Sequence, residues 1–335
     1  MTTSISRRAA LSAALAAAST PLLAQKTTTK PGTVPAGWPS RPLRILVGFP
    51  GGSTPDLVAR TIAEPLGKAL GQPVIVDNKP GAGGNIAADA VAKATDDHTI
   101  GVMINGNMTI AKLLNPATPF DPVRDLAPIS LIGTAPLLLA APANAPGANA
   151  MDFFAAARNA GNKWSYGSPG IGTVGHIGME LLKTKTNIDP VHVPYPGNPQ
   201  VINAIISGQI QLALLPPGLA AQQVRAGKLK AIGVTSIARS PLVPEYPSLD
   251  ESGVARGFQL EIWTAAAAPQ SMPKPIVAKL SQLIADIART PEVRQKLFAQ
   301  GWQVAGTSAE GLANRVRNDT ALLGGIIQMR GIKAE

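Results

Sequence analysis

The chain reads as an α/β protein of two lobes, and three observations predict this. From Arg41 onward, β-favouring apolar runs alternate with stretches whose apolar residues recur at helical spacing. Two of the strand-to-helix junctions, residues 45–58 and 165–176, are glycine-rich and similar to each other. With 335 residues, 45% of them hydrophobic, the chain can bury two cores.

Residues 1–24 have a short polar start with Arg7-Arg8, an Ala/Leu-rich stretch over 9–18 and a small-residue exit near Ala24, the form of an export signal peptide. The apolar stretch is shorter than the roughly 20 residues of a membrane span. Ser6-Arg7-Arg8 with Leu11 permits a twin-arginine signal as well as an ordinary Sec signal. Residues 25–40, rich in Thr, Lys, Pro and Gly, read as a flexible leader.

The first lobe begins with a strand over 43–49 and a helix over 55–70, whose Val58, Ile62, Leu66 and Leu70 fall four apart. Thr54 is the expected N-cap, Pro55 takes the first helical position, and Pro65 predicts a kink or early break. A strand at 74–78 follows. The junction between the first strand and helix offers backbone N–H groups and the positive end of a helix dipole to an anion, and equally reads as a plain β-to-α turn. Pro80-Gly81-Ala82-Gly83-Gly84-Asn85 lacks the Lys-Ser/Thr of a phosphate-binding loop and reads as a tight turn that lets backbone approach closely. A helix to Lys93, a strand at 99–105 and a loop carrying Asn105 and Asn107 follow. The apolar run 129–141 is expected as one buried strand that ends at a crossing between lobes.

The second lobe alternates helix 151–160, strand 163–166, the second glycine loop 167–175 and helix 177–183. Strands at 191–195, 210–215 and 229–235 then enclose helices at 200–207 and 219–226. After 258–267 the chain crosses back. Ile276, Leu280, Ile284 and Ile287 mark a helix over 275–289; a second helix over 291–300 ends at Gly301, and Thr307-Ser308-Ala309-Glu310 has capping-box form before the last. The expected division is residues 41–141 with 264–335 in one lobe and 142–263 in the other.

Composition removes several functions. With no cysteine there is no disulfide, thiolate catalysis or zinc–thiolate site. His98, His176 and His192 are too dispersed for a metal cluster, so no metal or cofactor is expected. Aromatic residues make up 4%, and the net charge of +10 comes from scattered Lys and Arg without a basic run, which argues against nucleic-acid binding.

The second loop, Ser165 to His176, contains a formal G-x-G-x-x-G at Gly170, Gly172 and Gly175, yet the acidic residue Asp189 precedes the next strand where a dinucleotide site needs one at its end. A serine-hydrolase elbow at Ser168 fails because Tyr166 stands where its first glycine belongs. An enzyme using the interlobe cleft, a nucleotide-dependent oxidoreductase or a hydrolase, stays as the alternative, with no catalytic residue assigned. The simpler chemistry is passive: two helix N-termini, with the hydroxyls of Ser53, Thr54, Ser168 and Thr173, hold a carboxylate between them.

The order and spacing of further segments carry a resemblance. They are Trp38-Pro39-Ser40-Arg41-Pro42-Leu43-Arg44, Phe49-Pro50 with Gly-Gly and Asp56, Val76-Asp77-Asn78-Lys79-Pro80-Gly81-Ala82-Gly83-Gly84-Asn85, and Phe120-Asp121-Pro122-Val123-Arg124-Asp125-Leu126. Ser168 to His176, Val193-Pro194-Tyr195, Ala226-Gly227-Lys228-Leu229 and Tyr246-Pro247-Ser248 continue it. Nearly everything after the signal peptide resembles the Bug/TctC-like extracytoplasmic solute receptors of tripartite tricarboxylate-type transport systems. The resemblance implies a type II-like periplasmic-binding-protein fold, with two α/β lobes joined by two crossover segments and closing on a small organic carboxylate. It implies a non-catalytic, monomeric receptor in the periplasm, with transporter membrane subunits or a sensor protein as partner.

Carried over by position, the ligand-binding candidates are Phe49, Gly51, Gly52, Ser53, Thr54 and Asp56 on the first loop, and Ser168, Gly172, Thr173 and His176 on the second. Tyr195 lines the cleft, and Asn105 and Leu215 complete the set. Two departures stand out. Gly51-Gly52 is shifted by one residue against the family pattern, and Leu215, followed by Pro216-Pro217, replaces the family's Asp. If Leu215 faces the ligand, no carboxylate is there to meet an ammonium, which predicts a short or aromatic monocarboxylate before a dicarboxylate. If Leu215 packs in the strand core, another residue reads that end.

Overall fold

The computed structural model describes residues 32–332, so the export signal expected over 1–24 lies outside the described residues, as does the start of the leader. Chain contacts set off the unit that begins at Val34.

Among the described residues, eleven strands form two sheets. They are β1 (Leu43–Val47), β2 (Val74–Asn78), β3 (Thr99–Ile104), β4 (Leu126–Pro136), β5 (Leu138–Pro142), β6 (Ser165–Ser168), β7 (Val191–Pro194), β8 (Leu212–Leu215), β9 (Leu229–Val234), β10 (Glu261–Pro269) and β11 (Gln303–Val304). The first sheet has the order β11-β4-β10-β3-β1-β2, the second β7-β6-β8-β5-β9. Strands joined by helical crossovers run parallel, as β1 does with β2 and β3, and β6 with β7 and β8. The two strands that arrive from the other sheet, β5 and β10, run antiparallel to their neighbours.

The run 129–141 is therefore two strands and not one. It changes sheet at Leu137, just after Pro136, and each part pairs within a different sheet. Strand alternation then sorts the cores. Ile45, Val47 and Val102 pack on one face of the first sheet while Leu46, Met103 and Ala265 pack on the other. In the second sheet, Leu139, Leu212 and Leu214 face one core, and Leu138, Ala213 and Leu215 face the opposite one.

Several local expectations are corrected. Helix Thr54–Leu70 continues unbroken through Pro65, and its N-cap is Ser53 instead of Thr54. Asn105 and Asn107 lie in a short helix, Asn105–Thr109, where a loop was expected. Helix Ala309–Arg330 is capped by Ser308, whose Oγ accepts from Gly311 N–H at 3.2 Å, so the Thr307-to-Glu310 box does not form. This helix sends Leu312 and Val316 into the first lobe's core and Leu323 and Ile327 into the second's. Trp38, expected in the leader, is buried, and its Nε1 donates to Asp97 O at 3.0 Å.

Where the chain passes between sheets, Thr235 joins both crossings. Its N–H donates to Leu137 O at 2.9 Å, and its hydroxyl accepts from Leu137 N–H at 2.8 Å. The same hydroxyl donates to Leu260 O at 2.7 Å, and Leu260 N–H returns a bond to Thr235 O at 3.0 Å. Thr235→Val keeps the shape but leaves a buried N–H and a buried carbonyl unpaired. It should lower the unfolding free energy by about 1–3 kcal/mol, read from the urea midpoint; an unchanged midpoint would refute this account of the crossing.

Candidate functional site

Each glycine loop is braced from behind before it meets the cleft. Asp56, 1% exposed, accepts from Gly52 N–H at 2.9 Å, from Arg60 Nε at 3.0 Å and from Asn78 Nδ2 at 2.9 Å. Asn78 Nδ2 also donates to Phe49 O at 2.9 Å. Burial alone would raise the Asp56 pKa, but these hydrogen bonds outweigh it and hold the carboxyl below its ordinary value. Asp56 thus closes the first loop and consumes the Gly52 N–H.

In the second loop, Thr173 Oγ1 donates to Gly170 O at 2.7 Å, so its one hydroxyl proton serves the loop itself. Ser168 Oγ accepts from Gly170 N–H at 3.2 Å and lies 2.7 Å from His192 Nε2. Gly172 N–H donates to His176 Nδ1 at 3.3 Å. The His176 and His192 rings stack at 4.3 Å, and Tyr166 stacks on His192 at 4.8 Å. Burial, reinforced by the charges of His176 and Lys183, pushes His192 down to about 3. The imidazole is neutral in neutral solution and is a weak base there, while Ser168 is fully buried. The Ser168–His192 pair therefore lacks the poise of a nucleophile and its base.

With the loops so held, the starts of helices Thr54–Leu70 and Val174–Thr186, one from each lobe, meet at a single cavity. A helix cannot satisfy its own first N–H groups, and Thr54, Val174 and Gly175, all in the first turns of these helices, line this wall. Phe49, Ile104, Leu137, Pro169, Leu214 and Ile262 supply apolar surface. Among the described residues, no charged side chain lines the cavity.

Asn198 Nδ2 donates to Thr54 Oγ1 at 3.2 Å, tying one lobe to the other beside the cavity. Asn105 Nδ2 donates to Glu261 O at 3.2 Å. Four lining polar atoms, Asn105 Oδ1, Asn198 Oδ1, Thr264 Oγ1 and Trp302 Nε1, are buried without a hydrogen-bond partner, as is the neighbouring Ser53 Oγ. Each such group costs about 1–3 kcal/mol unless something pairs with it.

Outside the cavity the lobes meet backbone to backbone. A Cβ on Gly83 would lie 2.6 Å from Ile171 O, one on Gly106 2.5 Å from Gly172 O, and one on Gly170 2.9 Å from Gly83 Cα. A Cβ on Gly218 would overlap the Gln300 carbonyl.

The structure brings Phe49, Thr54, Asn105 and Thr173 together at the cavity, with Ser53 buried beside them. Gly172 and Tyr195 line a separate groove further out, and Gly51 and Gly52 are exposed. Asp56, Ser168 and His176 brace the loops from behind. Leu215 packs in the core of the second sheet, and Leu214, on the opposite face of the strand, lines the cavity with Pro216. Sequence reasoning missed Asn198, Thr264 and Trp302. Asn198-Pro199 at a helix start was a readable signal; Thr264 and Trp302 had none, because sheet pairing brings them in.

The profile of the tripartite tricarboxylate transporter family receptors matches residues 58–332. A UPF0065 protein in the tcbD-tcbE intergenic region of Pseudomonas sp. strain P51 is 33% identical over 84% of both chains. Among solved structures, the MatC protein of Rhodopseudomonas palustris with bound malate is 31% identical, with a TM-score of 0.82 over 87% of this chain and all of that one. A second R. palustris protein, solved with adipate, is 29% identical, with a TM-score of 0.85 over 88% and 99% of the two chains.

The lowered His192 pKa sets an acid limit. Unfolded, an imidazole titrates near 6.5, so its contribution is complete above that pH and is lost as the pH falls toward about 3. The melting temperature should fall on acidification from pH 6.5 to 5, and His192→Gln should flatten that part of the profile. A variant profile parallel to that of the parent would disprove the assignment.

Proposed function

This chain belongs to the receptor family of tripartite tricarboxylate transporters, and on that premise we propose that it captures a small organic carboxylate in the cavity between its lobes, without chemical change. The observation that carries the reading is the convergence of two helix N-termini, one from each lobe, on a cavity with no charged side chain. Partial positive charge and free N–H groups there suit a carboxylate. The malate and adipate held by the two Rhodopseudomonas relatives support the same class. An ammonium would lose its hydration with no carboxylate to face it and only the free Asn105 and Asn198 oxygens to receive it, so the lining favours a ligand without one. This follows from the whole lining and not from Leu215.

The binding residues in this reading are Thr54, Val174 and Gly175 through their backbone, with Ser53, Asn105 and Asn198 around them. The lobes are the bodies built on the two sheets, hinged at Leu137 and at the segment from Thr235 to Leu260. The chain works in the periplasm as a monomer after loss of its signal peptide, and passes its ligand to transporter membrane subunits or to a sensor. Calorimetric titration of the chain without residues 1–24 with malate and adipate should give 1:1 binding, with the ligand recovered unchanged. Consumption of ligand, or tight binding of a nicotinamide cofactor, would falsify the reading.

Closure supplies a second test, because a ligand gripped from both lobes favours the closed state. Gly218→Ala places a methyl against Gln300 and should hold the lobes apart. Adipate affinity should drop by roughly tenfold or more, about 1.4 kcal/mol, and the ligand-induced decrease in radius of gyration should disappear. Gly325→Ala, where a Cβ meets open space, is the control. Unchanged affinity in Gly218→Ala would exclude closure at this contact.

A further inference from the structure

We propose that Asn107 is a positioning residue for ligand retention: its carboxamide fixes the turn 81–84 as the seat on which the second glycine loop closes, so that losing it shortens the time a ligand stays bound. This rests on the receptor reading above and deepens it. The turn leads into helix Asn85–Ala92, and its residues Gly81, Ala82, Gly83 and Gly84 have φ of 134°, 50°, 61° and 93°. A Cβ disfavours that region, so Ala82 keeps its φ only because its surroundings hold it there. Asn107, 3% exposed on the short helix Asn105–Thr109, supplies the hold. Its Nδ2 donates to Gly83 O at 2.9 Å and to Asn85 Oδ1 at 2.8 Å, while its Oδ1 accepts from Ile104 N–H at 3.4 Å. The turn is thereby tied to the end of β3, and Asn107 itself does not line the cavity.

The turn touches both loops that shape the cavity. A Cβ on Gly48 would lie 2.5 Å from Gly84 Cα, and one on Gly84 2.8 Å from Cε2 of the Phe49 ring, which lines the cavity. Across the cleft, Gly83 faces the second loop: a Cβ there would lie 2.6 Å from Ile171 O and 3.8 Å from Thr173 Cγ2, and Thr173 is the N-cap of helix Val174–Thr186. Contact of this kind is held by dispersion, which weakens over a fraction of an ångström, so the seat works only while the turn is fixed. It forms between the lobes and is broken when they part. A turn released from Asn107 therefore eases opening without altering the first encounter of a ligand with the open cleft, and the change falls on the dissociation rate and not on the association rate.

The test uses the chain without residues 1–24 and adipate as probe, with affinity read by calorimetry and release by rapid filtration of the radiolabelled complex after dilution. Asn107→Asp keeps the size and the acceptor but deletes the donor. Release should become roughly tenfold faster, the effect of losing a buried hydrogen bond, at an unchanged association rate. Asn85→Ala removes one of the two acceptors of Asn107 Nδ2 and should act in the same direction by less. Asn115→Asp is the control for added charge: Asn115 lines the same outer groove as Asn107, and its Oδ1 accepts from Ala117 N–H at 2.9 Å, a bond the acid keeps. Should Asn107→Asp fail to fold, as its urea midpoint would show, Asn85→Ala carries the comparison. An unchanged release rate in the folded variants overturns the positioning role. So does a loss of affinity that comes from slower association, or equally fast release from Asn115→Asp, and each of these leaves the receptor reading standing. A parent chain that binds neither adipate nor malate overturns both.

Discussion

The first N–H groups of an α-helix have no acceptor within their own helix, and this protein turns two such helix starts, from two different sheets, toward one cavity. Each brings a partial positive charge, and the apolar lining keeps water from weakening it. A grip made of dipoles and N–H groups avoids burying a lysine or arginine, whose desolvation would be costly while the cleft is empty. Such a grip suits an anion without committing a fixed charge. What it demands is stiffness, because an N–H group a fraction of an ångström out of place is a weak donor.

The bracing answers that demand. A carboxylate at Asp56 and a carboxamide at Asn78, neither of them lining the cavity, fasten the first loop. Ser168, Thr173 and the stacked histidines fasten the second. Residues that look chemically active in the sequence, an aspartate, a serine and two histidines, are therefore spent on geometry. The backbone they position lines the cavity.

Closing the cleft requires surfaces that can meet without side chains between them. Gly83, Gly106, Gly170 and Gly218 provide this where the lobes touch, each at a point where a Cβ would press on or overlap the opposing backbone. Thr235 ties the two crossings to each other, and helix Ala309–Arg330 packs into the cores of both lobes. The lobes are thus joined at one side and in contact at the other, with the helix starts between.

The alternation of strands and helices and the two glycine loops were legible in the sequence because each rests on local chemistry: apolar period and turn residues. The residues of the loops were legible as a set, but their division into those that face the cavity and those that hold the loop was not. Leu214 and Leu215 are adjacent and alike in sequence; only the direction of the strand's pleat sends one to the cavity and the other to the core. The run 129–141 is uniformly apolar, and which sheet each half joins depends on pairing with residues far along the chain. Trp302 and Thr264 reach the cavity through such pairing and packing, which local pattern does not encode. By itself the sequence determined which elements form and what chemistry they can offer; the tertiary structure decided which donors meet in one space, because that is set by long-range pairing.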